Sequence, residues 1–194
     1  MPNTDSAVAS LFNSIAPLSD DILAEIIPHV QHITYPKSFI LLNQGQVCRH
    51  IWFMTKGAVK YYYITDEGKE VNTWFSLDVQ VIADTVSIVS KQPSSESISL
   101  LEDSEFYIIS YEIVQQLLHK YHAFALWFIK LLEKYYILQI EDRVTDLQFL
   151  DAKQRYQKLL EIYPDIINRV SLGNIASYLN ISQETLSRIR SGRV

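Results

Sequence analysis

The stretch VSLGNIASYLNISQETLSRIR, Val170 to Arg190, has the pattern of two short helices joined by a tight turn. Ile175, Ala176 and Leu179 supply the apolar side of the first helix. Asn180 stands where the turn needs a left-handed backbone, which Asn tolerates better than most side chains. Ser182 is an N-cap for the second helix, and Glu184 lies in its first turn, where the helix dipole favours an anion. Leu186 and Ile189 then face inward, leaving Gln183, Glu184, Ser187, Arg188 and Arg190 on the outer side. A helix with Gln and Arg near its exposed N-terminal half can read base edges in a major groove. The pattern fits a helix-turn-helix for duplex DNA; a plain helical hairpin shares it.

Charge divides along the chain in a way that suits this reading. The whole carries a net charge of −5. From Leu150 onward there are seven Lys or Arg (Lys153, Arg155, Lys158, Arg169, Arg188, Arg190, Arg193) against four acids, a local +3 that leaves −8 for the remainder. A basic end on an acidic body gives a local steering field for a small DNA-contacting module. A hydrophobic share of 48% with 20% charged residues fits an ordinary globular protein. No apolar run is long enough for a membrane span, and the polar first residues do not read as a secretion signal. The single cysteine, Cys48, excludes an internal disulfide and cannot alone build a Cys-rich metal site. The expected location is the cytoplasm.

Upstream, residues 17–30 read as a short amphipathic helix with Ser19 as its cap. From about 30 to 109 short apolar runs alternate with turn residues, and Asp66–Gly68 marks a hairpin between Tyr61–Ile64 and Val71–Phe75. Closely spaced short strands predict a small antiparallel barrel or roll. Its WF and YYY clusters read as packed β side chains in preference to a stacking surface for single-stranded nucleic acid. Ser110 caps a helix over YEIVQQLLHKY, and a long helical segment runs from about Ala123 to Leu147. Phe124, Phe128, Leu131, Tyr135 and Leu138 repeat with the seam spacing of a coiled coil. A second row, Leu132, Tyr136, Ile140, Val144 and Leu147, lies beside it. Periodicity leaves open which row packs on the roll, or whether the whole helix is buried in its own monomer. With a helix-turn-helix present a two-fold dimer is preferred, and the first row is assigned to its seam. Another helix over 149–168 ends near Tyr163, before Pro164. The order gives an α+β fold: an antiparallel β-roll with flanking helices (1–122), a long dimerisation helix (123–148) and a C-terminal helix-turn-helix domain (149–194).

This order of parts resembles the Crp/Fnr superfamily of bacterial transcription regulators over nearly the whole chain. In the roll the likeness rests on Gly45, Gly57 and Gly68 within LLNQG, IWFMTKGAVKYYY and DEGKE. In the terminal domain it rests on RYQKLLEIYP and IASYLNISQETLSRIR, which look like members from Bacteroidetes-type bacteria. The resemblance implies a cyclic-nucleotide-binding-like roll and a homodimer on double-stranded DNA, with RNA polymerase as a further partner. It places Ser182, Gln183, Glu184, Ser187 and Arg188 toward the groove. Arg190 and Arg193, with Arg169 or Lys153, would contact phosphates.

Nucleotide-binding members hold the ligand with a Gly-Glu pair and an Arg ten residues after the Glu. The resemblance puts Ala83 and Asp84 at the pair and Ser94 at the arginine. A buried cyclic phosphate would then lack its main partner, so cyclic AMP is not expected as effector. Ser94 and Ser95 remain candidates for a neutral or differently charged ligand, and an effector of any kind is optional. Lys91 is too indirect a substitute. No cofactor is expected. The five histidines are scattered, and the spacing of His119 and His122 lacks a third metal ligand. No catalytic constellation is visible. The competing reading is a ligand-sensing module that acts through protein contacts without reading DNA.

Overall fold

Short apolar runs punctuated by turn residues become strands, and here they build the middle of the molecule. The computed structural model describes residues 4–192, with the backbone alone described at Thr4 and at 138–141. The strands are β1 (Gln31–Tyr35), β2 (Ile40–Leu42), β3 (His50–Lys56), β4 (Ala58–Ile64), β5 (Glu70–Leu77), β6 (Gln80–Ile82), β7 (Ser97–Leu100) and β8 (Ser104–Ser110). They pair antiparallel as two four-stranded sheets, β1-β8-β3-β6 and β2-β7-β4-β5. The expected roll is therefore present. The hairpin at Asp66–Gly68 joins β4 to β5, closed by the Thr65 amide donating to the Lys69 carbonyl at 2.9 Å. Gly57, between β3 and β4, has φ +130°, and a Cβ there would lie 2.9 Å from the Ser104 Cα. Only glycine fits that crossing.

Aromatic side chains fill the roll, as the clusters suggested. Phe53 and Tyr61 are buried, while Tyr63, beyond the register shift at Tyr61/Tyr62, is exposed. α1 (Thr4–Asn13), which the sequence reading did not assign, closes one end: Phe12 stacks on Trp127, whose indole donates to the Phe12 carbonyl at 2.8 Å. α2 (Asp20–Ile26) runs on into a 3-10 turn at Ile27–His29. Ser19 occupies its N-cap position but makes no backbone cap bond; its hydroxyl bonds Asp21 and lowers that carboxyl's pKa. α3 (Thr85–Ser90) follows β6. α4 (Tyr111–Lys120) follows β8, with the Ser110 hydroxyl accepting from the Ile113 amide as expected.

The long helix runs as α5 (His122–Leu132), one π turn (Glu133–Ile137) and α6 (Leu138–Phe149). Its facing corrects the seam assignment. Phe124 and Leu131 are almost fully buried in the roll's own core, and Phe128 and Tyr135 pack against the same core. Leu138's side chain lies outside those described. The row of Phe124, Phe128, Leu131 and Tyr135 is thus an intramolecular face, because it meets an aromatic-rich sheet end that must be covered. Tyr136 and Leu132, from the second row, also pack inward. The exposed apolar line is instead Leu126, Ile129, Ile137, Val144 and Leu147, each 45–56% accessible.

After Leu150 the chain turns into α7 (Ala152–Ile162), begun by a capping box in which Asp151 and Gln154 satisfy each other's backbone amides. α8 (Ile166–Arg169), α9 (Leu172–Tyr178) and α10 (Gln183–Arg190) complete the described chain. This terminal head does not stand apart at residue 149. Its core of Tyr156, Leu159, Ile166, Ile175, Leu179 and Leu186 includes Ala58, Phe75 and Leu77 from the roll.

Candidate functional site

The terminal head realises the turn chemistry of its sequence. Asn180 adopts φ +55°, and the next amide, of Ile181, returns to the Ala176 carbonyl at 3.0 Å. Ser182 caps α10 by accepting from the Thr185 amide at 3.1 Å. Ser171 does the same for α9 through Asn174, a cap the sequence reading passed over. Ile175, Ala176, Leu179, Leu186 and Ile189 are buried between the two helices and α7. Ser182, Gln183, Glu184, Ser187, Arg188 and Arg190 are all exposed on one side. Arg193 lies outside the described residues. Arg188 pairs with Glu184 one turn away, and both groups are open to water, so the pair is weak and exchangeable. Gln183 folds back over α9: a Cβ on Gly173 would come within 2.7 Å of its Nε2.

The basic residues divide into two groups. Arg169, a candidate phosphate contact, is 15% exposed and held by Asp78 at 2.7 Å and Glu102 at 2.6 Å. It also donates to the Gly57 carbonyl at 2.9 Å, and the carboxylates raise its already high pKa. A guanidinium with that many partners is a bolt between head and roll and not a phosphate contact. Lys158 binds Asp146 of α6 at 2.7 Å, and Arg155 donates to the Leu150 and Leu179 carbonyls at 2.6 and 3.1 Å. Arg188, Arg190 and Lys153 face solvent. The exposed positive charge is smaller than the count along the sequence implied. Two further contacts weld the head: the Asn72 amide donates to Ser177 Oγ at 2.9 Å, and Arg143 of α6 lies 3.8 Å over the Tyr178 ring.

A second feature sits between the roll and the long helix. A cavity of about 240 Å³ is lined by residues of β4, β5, β6, the start of α3 and the π turn. Ala83 and Asp84 line it. Ser94 and Ser95 do not. The Ser94 hydroxyl donates to the Glu96 carbonyl at 2.7 Å and accepts from the Glu96 amide at 3.0 Å, and its backbone pairs with Gly45 and Gln46. It is a turn device, and Ser95 is exposed beside it. The Asp84 carboxylate caps α3 through the Ser87 amide at 2.9 Å. Lys91 points to a different cavity, beside Cys48 and His50.

The residues that matter most in this cavity were not assigned to a ligand site from the sequence. Glu96 brings a carboxyl, and Tyr61, Trp74, Tyr135 and Tyr136 bring aromatic walls. Burial pushes the Glu96 carboxyl above the usual range; the Thr73 hydroxyl beside it pulls the other way, and the Asp84 charge adds to the rise. Among the described residues no Lys or Arg lines the cavity. For Trp74 the alternation of β5 carries a signal. Trp74 and Ser76 face the cavity, while Phe75 and Leu77 face the head.

Elsewhere, Cys48 is 3% exposed and burial raises its thiol pKa, the environment of an unreactive cysteine. Among the described residues no three His, Cys, Asp or Glu gather as metal ligands would. No helix among them is long and apolar enough to cross a membrane.

Residues 32–121 match the family model of the cyclic nucleotide-binding domain. No curated protein sequence matches the chain. Among solved structures, a transcriptional regulator assigned to the Crp/Fnr family from Eubacterium rectale is similar at TM-score 0.70 and 18% identity, covering 92% of this chain and 83% of that one. The c-di-GMP responsive global regulator CLP of Xanthomonas campestris matches at TM-score 0.64 and 17% identity, over 90% and 91%. The catabolite activator protein of Thermus thermophilus matches at TM-score 0.54 and 16% identity, over 94% and 85%. At these identities the likeness is one of fold: a nucleotide-binding-type β-roll with helices, as in regulators of the Crp/Fnr family.

Proposed function

We propose that this chain is a sequence-specific DNA-binding transcription regulator that works as a two-fold dimer and does not respond to cyclic AMP. The observation that carries the reading is the outer side of α10. It presents Gln183, Glu184, Ser187, Arg188 and Arg190 to solvent, while Leu186 and Ile189 lock its inner side. Arg188 suits a guanine edge, Glu184 accepts from cytosine N4, and Gln183 favours adenine. Arg190, which is exposed, would contact a phosphate, with Lys153 as a further candidate. The similar Crp/Fnr-type regulators support this use of the fold.

Dimerisation follows from the long helix. Leu126, Ile129, Ile137, Val144 and Leu147 form an exposed apolar line on a helix that already buries its other side. A second copy of the same line would cover it, and two heads would then meet two half-sites. For cyclic AMP the cavity has the wrong charge. A phosphate beside Asp84 and Glu96, with no cation in the lining, would be desolvated without compensation at a cost of several kcal/mol.

Fluorescence anisotropy of a labelled duplex, titrated at rising salt, tests the reading. Affinity is expected to fall linearly in log–log coordinates, as counterion release requires, and to be unchanged by cyclic AMP. Flat salt dependence with no sequence preference would favour the module that acts through protein contacts.

A further inference from the structure

The cavity between roll and long helix has a definite chemical preference of its own. Its charged groups are two carboxylates, Asp84 and Glu96. Its walls are aromatic, from Tyr61, Trp74, Tyr135 and Tyr136. Ser76 also lines it and is 4% exposed. The Thr73 hydroxyl, at the bulge opposite Tyr61 and Tyr62, also lines it, sealed from solvent beside Glu96 and without a well-formed hydrogen bond. A folded protein rarely leaves a buried hydroxyl so poorly bonded without a use for it.

From this arrangement we infer that the cavity is a binding site for a small organic cation, a compact protonated amine with an apolar or aromatic body. The ammonium would lie between Glu96 and Asp84 and donate to Glu96 and to the Ser76 hydroxyl. Aromatic faces attract a cation electrostatically, and a carboxylate with a charge-assisted donor gains a partner that water cannot match inside a cavity. At about 240 Å³ the space is below the ~300–1,000 Å³ of drug-sized pockets, which suits a compact ligand. The Asp84 carboxylate already caps α3, so Glu96 is the main acceptor. This inference deepens the regulator reading by naming what the roll senses.

The position gives the ligand a mechanical handle. Trp74 and Ser76 alternate along β5 with Phe75 and Leu77, which belong to the head's core. Tyr135 and Tyr136 belong to the π turn of the long helix. A bound amine would therefore touch the strand that supports the head and the helix proposed to form the dimer.

Calorimetry on the full chain, without DNA, tests the site using 2-phenylethylamine, tyramine and isopentylamine. Phenylacetate, an anion of similar shape, and cyclic AMP serve as comparisons. The amines should bind saturably at one site per chain and raise the melting temperature, while the two anions do neither. Glu96→Gln should weaken the amines by about tenfold or more, the usual loss for a charge-assisted bond. Ser76→Ala should weaken them less and leave the fold intact, which guards against misfolding of the first variant. Silence from all three amines overturns the inference, as does equal binding of phenylacetate or undiminished binding to both variants. Because DNA is absent, such a failure would leave the DNA-binding reading untouched, and failure of the latter would leave the amine result standing.

Discussion

Arg188 and Glu184 face each other across one turn of α10, and the pair is open to solvent on both sides. Duplex DNA can therefore take either partner at little cost. Arg188→Ala should weaken binding to a selected site by about 1–3 kcal/mol and relax preference at one base pair; competition assays against single-base variants of the site measure both. Glu96 gives a separate residue-level prediction. Its folded carboxyl pKa is raised, first by burial, so the folded state binds the proton more tightly than the unfolded chain. Its contribution to stability is then favourable at low pH and is lost as pH rises through the raised folded pKa. Chemical denaturation of wild type and Glu96→Gln across the carboxylate range should show the wild type losing stability relative to the variant as pH rises. Parallel curves would refute the assignment. The caps at Ser110 and Ser182 and the turn at Asn180 were legible in the sequence because each acts on backbone within a few residues. Arg169 was misjudged because its partners come from the surrounding fold, and Ser94 because the family pattern gave it a ligand role while its hydroxyl serves the local turn at Glu96. Ser94 closes a turn onto Gln46, and Arg169 reaches Asp78 and Glu102 across the head–roll boundary.

Among the elements, the long helix shows how far periodicity reaches. A heptad-like row identifies a helix with an apolar face, but the row does not say which surface covers it. The aromatic end of the roll claims Phe124, Phe128, Leu131 and Tyr135, and the line of Leu126, Ile129, Ile137, Val144 and Leu147 remains uncovered. Leu126→Glu with Ile129→Glu should convert a dimer to a folded monomer in sedimentation velocity, with unchanged circular dichroism. A persistent dimer would place the seam elsewhere. The β5 strand could have been read more fully. Its run EVNTWFSL has buried residues on both faces, and a strand buried on both faces must have two structures packed against it. One is the cavity and the other is the head.

For the molecule as a whole, the head and the roll share a core and are bolted by Arg169. A signal in the roll would therefore act by shifting an existing packed interface, as bistable interfaces do, and not by releasing a tethered domain. Arg169→Met should raise hydrogen exchange in α8–α10 and lower Tm by several degrees, since it leaves Asp78 and Glu102 without their partner. Unaltered exchange would show that the apolar core alone holds the head. The +3 charge from Leu150 onward was a fair pointer to the basic end, but folding turns Arg155, Lys158 and Arg169 to structural use. On the proposed reading, sequence-specific recognition would then rest on few side chains of α10. The most direct measurement is selection of bound duplexes from a random pool by the full chain, with and without cyclic AMP. The expected result is enrichment of a two-fold symmetric site, with half-sites about one helical turn apart, identical in both arms. An unenriched pool, or a site recovered only when cyclic AMP is present, would contradict it.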